Sequence, residues 1–165
     1  MKIKNNWLYI IACLVFFVVL GFQSKEEKTA YKCMIQMANY SGEGAYVVIS
    51  LIDENEEYIE TLYVQGDDEK WYSDIYEWWK FQKEYKHDID GITGATVGAG
   101  NRSINRLEIS NDKFNKGYKL RFETSVENNE YFKDDVEIEL TSEGVMQGKI
   151  SGKGYIRYVR LIPQF

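Results

Sequence analysis

Ala45-Tyr46-Val47-Val48-Ile49-Ser50-Leu51-Ile52 is an almost unbroken apolar run between two polar turn signals, Ser41-Gly42-Glu43-Gly44 and Asp53-Glu54-Asn55-Glu56. A short apolar, β-branched run bounded by turn residues reads as a strand, and apolar residues at both parities mean a strand buried on both faces. The stretches on either side alternate instead. Tyr31, Cys33, Ile35 and Met37 carry the apolar positions of Tyr31 to Tyr40, and Ile59 stands opposite Glu60 before Leu62 and Val64. Period-two patterning is that of strands with one face toward a core.

The period then changes. Trp71, Ile75, Trp78 and Trp79 recur at helical spacing after Asp67-Asp68, which predicts an amphipathic helix from about Glu69 to Tyr85 with an aspartate suited to its N-terminus. A small-residue loop from His87 to Asn101 follows. Four more strand signals come after it, at about Ile104–Ile109, Tyr118–Ser125, Asp135–Leu140 and Gly154–Phe165. About seven short strands punctuated by turns, with one inserted helix, predict a mainly β chain: an antiparallel, Ig-like β-sandwich. Residues 30–165 are expected to form one domain, because neither a repeat nor a composition shift interrupts them.

The N-terminus is of another kind. Lys2 and Lys4 precede an apolar run from Trp7 to Phe22, and Lys25-Glu26-Glu27-Lys28 follows. A basic start, apolar middle and polar exit describe an export signal over residues 1–24, or an anchor through residues 7–22 if it is not cleaved. Ile10-Ile11-Ala12-Cys13 has the outline of a lipobox, but the apolar run continues past it to Leu20. An exported protein of the periplasm or cell envelope is expected.

Composition narrows the chemistry. The 165 residues carry a net charge of −6, and the leader contributes two lysines and no acid, so the rest is more negative still. That disfavours nucleic acid and anionic lipid as partners. His87 is the one histidine, which removes the usual triads and multi-histidine metal sites. Cys33 is the only cysteine beyond the leader, so the domain holds no internal disulfide. With no nucleophile beside a base, a carrier or binding protein is expected rather than a catalyst.

The most informative string is Asp90-Gly91-Ile92-Thr93-Gly94-Ala95-Thr96, continued by Val97-Gly98-Ala99-Gly100. Gly91, Gly94 and Ala95 leave room for a phosphate or a second protein to reach the Thr96 hydroxyl. Backbone N–H groups in a tight turn can cradle phosphate oxygens, Asp90 can shape the turn, and Thr93 can cap it. The plain reading of the same glycines is a tightly turned loop after a helix. Trp71, Trp78 and Trp79 are core candidates; Trp78 and Trp79 are adjacent, so one of them is a candidate for the surface near the loop. His87, Asp88 and Asp90 make a weak metal set, better read as turn caps. Arg102 and Arg106 share a strand face, where salt bridges or a docked phosphate would use them.

Asp90 to Thr96 resembles the D-x-x-[ST]-G-A-[ST] acceptor site on which a flavin transferase esterifies FMN. Most of the chain, about residues 31 to 141, resembles the DUF2271 family of exported bacterial proteins. The resemblance rests on Ala45–Leu51, Glu60–Val64, Lys70-Trp71-Tyr72 through Trp78-Trp79-Lys80, the D-G-I-T-G-A-T string and Lys116–Leu120, in that order. It implies extracytoplasmic electron transfer alongside flavin transferases and PepSY-type membrane redox proteins, with FMN on Thr96 and Asp90, Gly91, Thr93, Gly94 and Ala95 forming its attachment loop. The alternative is a flavin-free binding module in which the same loop and the aromatic helix dock a PepSY-type partner.

Overall fold

The computed structural model describes residues 27–164, so the expected signal or anchor lies outside the described residues. Among the described residues nine strands form two sheets. The first has the order β5 (Arg102–Ser110), β1 (Lys28–Met37), β9 (Ile156–Gln164), β8 (Ile150–Ser151). The second has the order β4 (Thr93–Gly94), β3 (Tyr58–Gln65), β2 (Tyr46–Ile52), β6 (Lys119–Ser125), β7 (Tyr131–Glu139). The β-sandwich is as the patterning predicts. The seven longer strands match the seven sequence signals; β4 and β8, of two residues each, are additional and too short to carry a period.

Between the sheets lies the main core, where Cys33, Ile35 and Met37 of β1 meet Val47, Ile49 and Leu51 of β2 and Leu120 and Phe122 of β6. The second sheet is also covered on its far side. A 3₁₀ turn at Glu69–Asp74 leads into helix α1 (Tyr76–Tyr85), and Tyr72, Ile75, Trp78 and Phe81 pack there on Tyr46, Val48 and Val64. All seven residues of β2 are therefore buried, odd positions against one layer and even positions against the other. At ~25 cal/mol per Å² of apolar surface removed from water, two-sided burial makes this strand a large contributor to the fold.

The expected single helix is divided at Ile75, whose φ of −99° and ψ of 63° are not helical. Asp68 does cap the first part, accepting a hydrogen bond from the Lys70 N–H at 3.0 Å. A second short helix, α2 (Ser142–Met146), is capped by Thr141 Oγ1, which accepts from the Gly144 N–H at 2.9 Å. One pairing departs from the expected antiparallel pattern: β4 runs parallel to β3, Thr93 beside Val64 and Gly94 beside Gln65. The intervening helix crosses the sheet and returns the chain in the same direction, which is what a parallel pair requires.

Candidate functional site

The chain leaves α1 at Lys86, a left-handed residue whose N–H donates to the Gln82 carbonyl at 2.8 Å. The Gln82 Nε2 then donates to the His87 carbonyl at 2.6 Å, fixing the exit. Asp88 Oδ1 accepts from the Asp90 N–H at 3.2 Å. Asp90–Ile92 form one 3₁₀ turn, and Thr93 Oγ1 donates back to the Ile89 carbonyl at 2.7 Å. Asp88 and Thr93 thus act as the turn caps their positions suggest, and among the described residues no cluster of His, Cys, Asp and Glu is arranged to hold a metal ion.

Two anchors hold the rest of the string. Gly94 accepts from the Gly66 N–H at 2.5 Å, beside the β3–β4 pair. Three residues on, Val97 exchanges two backbone hydrogen bonds with Ala45, at 2.8 and 3.0 Å, and its carbonyl also accepts from Tyr40 Oη at 2.6 Å. Ala95 and Thr96 bridge these anchors; Ala95 is exposed and Thr96 half-buried against Gly44. Within the described residues Thr96 Oγ1 takes part in no hydrogen bond, whereas the Thr93 hydroxyl is occupied. Of the two threonines of the string, the last keeps its hydroxyl unpaired on a linker tethered at both ends.

The glycines divide by function. A Cβ on Gly94 would lie 2.5 Å from the Tyr63 hydroxyl, and one on Gly44 would lie 2.5 Å from Thr96 Oγ1, so both are required by close approach. A Cβ on Gly91 would meet nothing within 4 Å. Gly94→Val is expected to cost about 2 kcal/mol through displacement of Tyr63 and β4, while Gly91→Ala changes stability by less than about 0.5 kcal/mol. Urea unfolding of the two variants checks this, and equal costs would refute the assignment.

A cleft of about 340 Å³ opens beside the start of the string, with Asp90, Asp88 and His87 on one side and Trp79, Tyr72 and Gln82 on the other. The adjacent tryptophans divide as their neighbourhood demands. Trp78 is fully buried, its Nε1 donating to Thr61 Oγ1 at 2.9 Å, and half-buried Trp79 faces the cleft. Arg102 and Arg106 are elsewhere, on the outer face of the first sheet. Arg102 donates to Gln36 Oε1 at 3.1 Å and Arg106 to Glu108 Oε1 at 3.0 Å. Cys33 is a buried strand residue whose thiol is pushed well above its ordinary pKa by burial.

Sequence reading misses a polar cluster beneath α1. Arg121 and Glu123 alternate in β6 and share a face that pattern alone assigns to solvent, yet both are buried. Tyr58 Oη donates to Glu123 Oε1 at 2.7 Å, and the Tyr131 hydroxyl donates to its other oxygen. Arg121 bonds Glu137 at 2.6 Å and Glu56 at 3.1 Å. Burial raises the Glu123 carboxyl to about 7, against the pull of both tyrosine hydroxyls and Arg121. Burial opposes the charge on Arg121, but Glu137, Tyr58 and Glu56 outweigh it and raise its pKa. The available signal was Tyr58, Arg121, Glu123 and Tyr131, two charged and two amphipathic residues that must find partners once a helix covers them.

A family model described as "Predicted periplasmic protein (DUF2271)" matches residues 28–158. No curated protein and no solved structure matches the chain. Among the described residues no helix is long and apolar enough to cross a membrane.

Proposed function

Because the chain belongs to the DUF2271 family of predicted periplasmic proteins, we propose that it is an extracytoplasmic electron-transfer accessory protein carrying FMN on Thr96. The observation that carries this reading is the unpaired Thr96 hydroxyl on the tethered Ala95–Thr96 linker. A flavin transferase acting in trans would join the Thr96 oxygen to the FMN phosphorus of FAD. The pyrophosphate bond of FAD breaks, AMP leaves, and the hydroxyl proton goes to the released phosphate. The flavin supplies the redox chemistry when bound. The protein's own share is to hold the linker at Gly94 and Val97, to keep Thr93 engaged so that Thr96 is the acceptor, and to present Asp90 at the mouth of the cleft. A PepSY-type membrane redox protein is the proposed electron-exchange partner.

The test is the intact mass of the exported protein co-expressed with a flavin transferase, beside Thr96→Ala and Thr93→Ala. We expect a gain equal to FMN minus water in the unaltered protein, its complete loss in Thr96→Ala, and its retention in Thr93→Ala. No gain with a transferase shown to be active on another acceptor would overturn the reading. The loop would then be the docking turn of a flavin-free module.

A further inference from the structure

We propose that the outer face of the first sheet is a docking surface for an acidic protein partner, one presenting carboxylates around a small apolar patch. This stands independently of flavin at Thr96.

The register of β1 with its neighbours places the residues of that face. Arg102, Gln36 and Tyr158 form one row, Ile104, Met34 and Arg160 the next, and Arg106, Lys32 and Ile162 the third. Lys149 stands over the Tyr158 ring at 4.6 Å, and Arg157 lines the same groove as Arg102 and Lys149. The one carboxylate among the strand residues of this face is Glu108, which Arg106 already binds. A chain with a net charge of −6 thus gathers Lys32, Arg102, Arg106, Lys149, Arg157 and Arg160 onto one side.

The arginines sharpen the point. The protein has five, and Arg106 and Arg121 pair with carboxylates. Arg102, Arg157 and Arg160 form no ion pair within the described residues, and all three are exposed on this face. An arginine presents a planar fork matched to carboxylate, so three without an internal carboxylate, Arg102 being held only by neutral Gln36 and Tyr158, are poised for external ones. Ile104, half exposed at 52%, lies beside Met34 in the middle of this set. An apolar centre inside a charged rim is the anatomy of a protein interface, and a flat pleated face offers no wedge to insert among lipid tails. Three strands of nine or ten residues and the two-residue β8 span roughly 15 by 30 Å, the footprint of a transient encounter that charge can steer.

The test uses the protein as exported and two probes. One is an immobilised synthetic peptide of alternating glutamate and leucine. The other is a vesicle of phosphatidylcholine with one-third phosphatidylglycerol. We expect saturable peptide binding that weakens at least tenfold in Arg102→Glu/Arg160→Glu and severalfold in Ile104→Ser. It should weaken about tenfold between 50 and 300 mM salt, as charge pairs predict, and be unchanged in Lys116→Glu/Lys133→Glu. All substituted face residues are exposed or half-buried, so circular dichroism should show each variant folded. Peptide binding indifferent to the face variants would overturn the proposal. So would vesicle binding tighter than peptide binding and lost in the same variants, which would make an anionic membrane the occupant. None of these outcomes depends on the mass gain at Thr96.

Discussion

Trp78→Ala is expected to lower the stability of this protein by about 3–5 kcal/mol, the cost of truncating a large aromatic side chain in a well-packed core. Trp78 is fully buried and stacks edge-on against Tyr72, with ring centroids 5.2 Å apart. Its Nε1 satisfies Thr61 Oγ1, so truncation also leaves a buried hydroxyl without its donor. Trp79→Ala removes a neighbour of the same size that lies half-buried at the cleft, and should cost no more than about 1.5 kcal/mol. Urea unfolding of both variants measures the difference. Equal losses would mean that α1 is seated on the sheet differently from the arrangement described.

The second large effect is in the pH dependence of stability. Glu123 has its carboxyl raised by burial from an ordinary 4.5 to about 7. Between those values the folded protein holds a proton that the unfolded chain releases, so stability falls as pH rises through this window. The penalty is absent below pH 4.5 and complete above 7, and a shift of this size corresponds to roughly 3 kcal/mol. Glu123→Gln keeps an acceptor for Tyr58 and Tyr131 and removes the titration. Denaturant unfolding at pH 5 and pH 8 should show the unaltered protein losing most of that amount and the variant retaining it. Parallel profiles would show that Glu123 is not the group responsible. Asp53, Asp112 and Asp134 work in the opposite sense, since hydrogen bonds to Glu57, Ser110 and Lys153 hold their carboxyls below the usual range. Their contribution is present above the ordinary carboxylate value and lost as pH falls through the lowered one, which places greatest stability on the mildly acid side.

Trp78 belongs to α1 and Glu123 lies beneath it, and the pair explains why α1 matters to the site. The apolar half of its buried face, Trp78 and Phe81, seats the helix. Phe81 stacks on Tyr58 and Tyr76 lies against Tyr131, so the helix also covers the two tyrosines that bond Glu123. The exit from its C-terminus then delivers Asp90 to the cleft and Thr96 to the linker. A loosened helix would alter the loop without touching any of its residues.

Local periodicity determined the seven longer strands, the two-sided burial of Tyr46–Ile52 and the presence of an aromatic amphipathic segment after Asp68, because each depends on side-chain spacing along a single element. The candidate string Asp90–Thr96 was likewise legible, since its glycines and hydroxyls are contiguous. Tertiary structure decided what spacing cannot express. It set which of two adjacent tryptophans is core, since that depends on where Tyr72 and Thr61 lie. It divided the two threonines, because Ile89 offers a carbonyl to Thr93 and the described residues offer no partner to Thr96. It buried Arg121 and Glu123, whose alternation alone places them in water, Glu123 with tyrosines that the helix covers and Arg121 against Tyr58, Glu56 and Glu137. It also gathered cations from β1, β5 and β9, and from the segment leading into β8, onto one face of a protein whose total charge is negative. Net charge is a sum over the chain, while a surface is made by the pairing of strands that are far apart in it.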